Sequence, residues 1–274
     1  MRYLWALAPL LAATGAHAQE QAPPASPANP RADDSELAKQ LSNPVANLIS
    51  VPLQNNYDCC FGPAEAQRYV LNIQPVVPLS LTKDWNVIIR TIVPVIAEGE
   101  TIAGQGSTSG FGDITQSFFF SPKATHNGIV WAIGPVFTYP SGGSRRGTEK
   151  WGAGPTALLL KQAEGGLTFG MLANQVWSIA GDEDRANVSQ MLLQPFLSKT
   201  LPDSTTFSLN SETIRDWHAK TWLVPINLSV THIFKFGGQR VQIGPTARYY
   251  VETPEGGPHW GARLTFTFLF PKGK

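Results

Sequence analysis

The stretch "RLTFTFLF" (residues 263–270) puts a large apolar residue at every second position. Leu264, Phe266, Phe268 and Phe270 alternate with Arg263, Thr265 and Thr267. A period of two means an extended strand with one apolar and one polar face. The pattern recurs upstream. Trp222, Val224, Ile226, Leu228 and Val230 oppose Thr221, Asn227, Ser229 and Thr231. Val241, Ile243, Ala247 and Val251 oppose Gln242, Thr246, Arg248 and Glu252, and Tyr69, Leu71, Ile73 and Val77 oppose Asn72, Gln74 and Ser80. Residues 129–139 are apolar on both faces. Extended segments are expected at 46–55, 67–80, 85–97, 111–121, 128–140, 151–161, 166–179, 187–200, 204–212, 221–236, 240–252 and 259–270.

The connections decide what the apolar faces touch. Long linkers such as "NNYDCCFGPAE", "EGETIAGQGSTSG", "SGGSRRGTEK" and "SETIRDWHAK" alternate with short ones such as "LTKD", "QAEG", "LPD" and "GGQ". A transmembrane barrel has this asymmetry, with tight turns at one end and longer loops at the other. A soluble sandwich has no reason to keep its long loops together. Charged residues are only 15% of the chain, against about 25% in an average soluble protein. No apolar run after Ala18 is long enough for a spanning helix. A closed barrel satisfies every backbone donor and acceptor without such a run. The expected fold is all-β, a transmembrane antiparallel barrel of about twelve strands with a short N-terminal helix.

Aromatics fall where an interface would put them. Trp85, Trp131, Trp151, Trp222 and Trp260 sit at strand starts, and Trp177, Tyr139, Tyr249 and Tyr250 at or near strand ends. Such residues form girdles between acyl chains and headgroups. Prolines inside the strands cost ladder bonds. The recurring Gly134-Pro135, Gly154-Pro155 and Gly244-Pro245 suggest a repeated bulge or bend that curves the sheet.

The chain opens "MRYLWALAPLLAATGAHAQE", with one arginine, a short apolar run and an Ala16-His17-Ala18 triplet. This is the pattern of a secretory signal peptide (1–18) cleaved after Ala18. Residues 19–32, rich in Pro, Ala and Gln, read as a flexible linker, 33–43 as a short helix for the lumen or the periplasmic rim, and 44–274 as the barrel. The net charge of +1 falls to zero once Arg2 is removed, so neither nucleic acid nor a strongly charged partner is indicated.

Chemistry is sparse. Cys59 and Cys60 are adjacent, which gives neither a disulfide framework nor a CxxC metal site. Two small loop residues, reduced or oxidised without consequence, are favoured over a strained vicinal ring, which departs from the preferred disulfide geometry. Asp182, Glu183 and Asp184 fit no complete calcium loop. His126, His218, His232 and His259 have no partner motif, and no GxSxG, HExxH, P-loop or dinucleotide fingerprint occurs. No enzyme, cofactor or metal is expected. Alternation instead points Asn72, Gln74, Arg90, Asp113, Asn174, Gln190, Gln194, Asn210, Glu212, Asn227, Arg248 and Arg263 into a lumen. There they either form a hydrated pathway or pair with one another to fill it.

Four stretches also look familiar: "LAKQLSNPVANLISVPLQNNY", "GFGDITQSFFFSP", "IGPVFTYPSG" and the terminal aromatic strand. With them the chain resembles the outer-membrane barrel family named for meta-pathway phenol degradation, whose members are described as transporters. It departs from that pattern at Cys59-Cys60 and in the "PKGK" that follows the last aromatic. The resemblance implies a bacterial outer-membrane barrel that passes small solutes, aromatic or hydrophobic ones among them, and no agreed active site. Membrane lipid, the barrel-assembly machinery and the solute would be its partners. The alternatives are a non-conducting structural or surface-binding barrel and, less favoured, a barrel hydrolase or acyltransferase.

Overall fold

The computed structural model describes residues 30–100, 104 and 106–271. The expected signal peptide and most of the linker lie outside these residues, as do the last three residues of "PKGK". A helix, α1 (Pro30–Leu41), precedes fifteen strands that make twelve staves: β1 (Ile49–Phe61), β2 (Ala66–Ile73) continued by β3 (Val76–Ser80), β4 (Trp85–Glu98), β5 (Thr108–Phe111) continued by β6 (Ile114–Pro122), β7 (Ile129–Tyr139), β8 (Lys150–Gln162), β9 (Leu167–Gly181), β10 (Ser189–Thr200), β11 (Thr206–Ser211) continued by β12 (Thr213–Asp216), β13 (Thr221–Phe236), β14 (Gln239–Glu252) and β15 (Trp260–Phe270). Every pairing is antiparallel. The final strand closes on the first, from Ile49↔Phe270 to Cys59↔Trp260, so the sheet is a closed barrel with no free edge.

Side-chain parity carries through this closure. Along β13, Ile226, Leu228 and Val230 are exposed outward while Asn227 and Ser229 are buried inward. On β15, Leu264 and Phe270 are exposed while Arg263, Thr267 and Leu269 are buried. The apolar residues exposed on other staves, among them Leu159, Phe169, Met171, Leu197 and Leu209, complete an outward apolar surface. Water would not tolerate so large a patch on a monomer.

Three expectations are corrected. Residues 30–32 belong to α1 rather than to a linker, because proline lacks only an N–H that a helix's first turn leaves unpaired anyway. β1 does not stop at residue 55 but runs to Phe61. Its polar run Asn55, Asn56 and Asp58 looks like a loop, yet the Asn56 amide donates to the Gln54 and Val70 carbonyls at 3.0 Å each and seals the strand. Cys59 and Cys60 therefore lie on a strand, and they are bonded to each other. The pair lies on a strand rather than in a loop, and the vicinal disulfide is the form found.

The three Gly-Pro steps are bends. The β6–β7 ladder stops after Ser117↔Val136 and resumes at Phe120↔Ile133. The β8–β9 ladder skips from Ala153↔Trp177 to Thr156↔Asn174, and the β13–β14 ladder from Ser229↔Thr246 to His232↔Ile243. No residue is inserted at any of them, so these are bends without bulges. At each, the neighbouring strand's carbonyl closes over the glycine. A Cβ on Gly134, Gly154 or Gly244 would collide with the oxygen of Phe118, Gln175 or Val230 respectively.

α1 sits at the short-turn end. Ser35 donates to the Leu201 carbonyl at 3.3 Å, Gln162 donates to the Lys39 carbonyl at 3.2 Å, and Asp34 pairs with Arg240. The helix's apolar face, Leu37, Ala38 and Leu41, packs on Leu48, Ile233 and Leu269. Beyond it Val45 inserts among Ile88, Phe119, Val130, Ala132, Leu158, Leu160 and Leu172, the inward residues of β4 and β6–β9. That explains why 129–139 is apolar on both faces: one faces outward and the other covers this internal cluster. Each large side chain so buried contributes about 1.5–3 kcal/mol.

Candidate functional site

The opposite wall of the interior is polar and ionic. Arg263 on β15 forks onto Glu212, at the β11–β12 junction, with bonds of 2.9 and 2.7 Å, and its Nε donates to Asn56. Arg248 on β14 reaches Asp58 on β1 at 3.1 Å and lies 3.8 Å from Glu212. The amide oxygen of Asn56 accepts from Arg248 at 3.1 Å as well as from Arg263. Tyr250 donates to Asp58 at 2.7 Å, and Arg248 donates to Asn227, whose amide donates to Asn210 at 2.8 Å. Two guanidinium groups and two carboxylates thus balance in a knot that ties β1, β11–β12, β13, β14 and β15 together. Bidentate Arg–carboxylate geometry gives such a knot direction as well as strength.

The remaining lumen candidates distribute around it. Gln74 is buried and donates to Gln54 at 2.9 Å, while Arg90 donates to Gln74 at 3.1 Å. Asn72 pairs in register with Gln54 and Asn174 with Thr156 and Leu192. Gln194 lines an internal cavity near α1, and Gln190 donates to Asp216 at 3.0 Å at the long-loop end. Asp113 lies outside the strands. Its carboxylate accepts from the backbone N–H groups of Gly142 and Thr148 and from the Thr148 hydroxyl, so it folds the outer loop that carries α2 (Gly143–Arg146).

Sequence reasoning missed Asn56 and Asp58, hidden in a stretch read as loop, and it missed Tyr250. The signal for the first two was the i, i+2 spacing of Gln54, Asn56 and Asp58 on one strand face. Tyr250, at a strand end where a girdle aromatic is expected, is 7% exposed and inward. Parity forbids it from sharing a face with Tyr249, which is 65% exposed. The other aromatics stand outward near stave ends. Trp85 and Trp131 meet edge-on at 5.7 Å near the short turns, and Tyr139 and Trp151 at 5.5 Å near the long loops. Trp177 and Trp260 are exposed, while Trp222 is half-buried with Arg215 over its ring at 5.0 Å. His232 bonds the Thr205 hydroxyl at 2.9 Å and holds a short turn. Among the described residues no group of three His, Cys, Asp or Glu is placed to hold a metal ion.

No family model and no curated protein matches the sequence. Among solved structures the chain is similar to the COG4313 outer membrane channel from Pseudomonas putida F1, with a TM-score of 0.65 and 12% identity over 82% of this chain and 96% of that one. It is also similar to the NanC porin, with a TM-score of 0.51 and 11% identity over 81% of this chain and all of the other. At such identities the shared property is the barrel fold.

Proposed function

We propose that this chain is exported, cleaved after Ala18 and inserted into the bacterial outer membrane by the barrel-assembly machinery, where it acts as a passive channel for small solutes, aromatic or hydrophobic ones among them. The observation that carries this reading is the pairing of an outward apolar surface with an interior wall of Arg, Asp, Glu and amides. Charged groups facing a lumen set what passes it, whereas a purely structural barrel would be served as well by an apolar filling. The two structural relatives named as channel and porin support the reading. No catalytic role is proposed: the described histidines are exposed or clamp a turn.

A second reading, a barrel that does not conduct, is favoured by α1 and Val45, which occupy the short-turn end. Conductance of the refolded protein in planar bilayers separates the two. The full chain should show small single-channel steps. Deleting residues 19–45 should enlarge them several-fold, because the helix and the side chain capping the apolar cluster leave together. A truncated barrel that folds and stays closed would sink the channel reading.

A further inference from the structure

We infer that the lumen contains a binding site for a small organic monoanion, with its carboxylate on the guanidinium of Arg90 and its apolar body against the N-terminal segment. The assignment rests on the reading of the barrel as a solute pathway and names the class of solute.

Arg248 and Arg263 are matched by Asp58 and Glu212. None of the ion pairs among the described residues includes Arg90. Among the described residues its one side-chain hydrogen bond goes to the neutral Gln74 at 3.1 Å. Glu212 acts on it only from beyond contact distance, and that carboxylate already takes both forks of Arg263. A guanidinium carries five donors and does not deprotonate, so Arg90 keeps most of its donors and its full charge.

Arg90 lines a cavity of about 230 Å³ between α1 and the barrel wall. Among the described residues that line the cavity, Arg90 is the only charged one. Gln54, Gln74, Gln194 and Gln242 supply amides around it. Leu41, Ala46, Leu48 and Val76 supply an apolar floor, with Val76 the cross-strand partner of Arg90. The Gln54–Gln74–Arg90 chain holds the guanidinium plane by hydrogen bonds of 2.9 and 3.1 Å before any ligand arrives. An apolar cavity of about 150 Å³ already admits benzene, so this volume takes a one-ring carboxylate. A planar fork without a carboxylate partner is built for that group. Arg90 is half-buried, and partial removal of an unpaired cation from water is costly; a monoanion offsets that cost while an apolar or cationic solute does not.

Benzoate and its neutral isostere benzamide test this by calorimetry on the refolded full chain in detergent micelles, where binding is read without a conducting pore. Benzoate should bind at least about tenfold more tightly than benzamide, and Arg90→Gln should remove that preference. Equal affinity for the two ligands, or no binding of either, overturns the inference, and so does a folded R90Q protein with an unchanged preference. The comparison in the unmodified protein decides the matter even where R90Q fails to fold. Conductance of the same preparation reports the channel reading separately: a pore that conducts while calorimetry shows no preference for benzoate sinks this inference alone.

Discussion

Replacing Glu212 by glutamine should lower the unfolding free energy by about 3–5 kcal/mol, the usual cost of removing one partner of a buried ion pair. The carboxylate takes both forks of Arg263 and faces Arg248 at 3.8 Å. Glutamine keeps the shape and removes the charge, leaving two guanidinium groups to share Asp58. The measurement is urea unfolding of the refolded barrel in detergent, followed by tryptophan fluorescence. The double variant Glu212→Gln, Arg263→Met should recover part of the loss, since the pair then leaves as a unit. A cost under about 1 kcal/mol for E212Q, the level of an exposed pair, would mean that water fills the interior at this height.

Gly134→Val should abolish folding altogether. The added Cβ collides with the Phe118 carbonyl oxygen, a backbone atom that cannot move without opening β6 from β7. Gly238→Ala is the matched control: it lies in the short turn between β13 and β14, and a Cβ there meets nothing within 4 Å. Unheated gel electrophoresis reads both at once. G134V should stay at the unfolded position while G238A should run as a compact barrel. A folded G134V would show that the close approach of β6 to β7 at this glycine can relax.

Period-two alternation was enough for most staves. Residues 221–236 were expected as a strand and found as β13, and 85–97 differ from β4 by one residue. A strand half in hydrocarbon and half in a polar lumen writes its parity plainly into the sequence. The signal fades where both faces share one chemistry. Residues 54–58 are polar on either side of β1, because Asn55 turns outward to take the Tyr69 hydroxyl at 2.6 Å. Residues 129–139 are apolar on either side because the interior there is apolar too.

The lumen candidates were legible as types but not as partners. Arg263 and Glu212 are 51 residues apart, and only closure of the sheet with a particular stagger brings them together. Arg90 shows the same limit from the other side. Its lack of an ion-pair partner is a property of the assembled interior and leaves no local mark in "NVIIRTIV". The vicinal disulfide needed coordinates as well, since adjacency permits the bond without requiring it.

The account depends on hydrocarbon solvating the outward side chains. Spin labels placed singly at residues 226 to 230 of β13, in a Cys59→Ser, Cys60→Ser background and in lipid vesicles, test it most directly through collision with oxygen and with a water-soluble nickel chelate. Labels at 226, 228 and 230 should collide with oxygen and be shielded from the chelate, while those at 227 and 229 should show the reverse tendency or little access to either. Chelate access at 226, 228 and 230, or no alternation along the strand, would contradict the barrel's placement in a membrane.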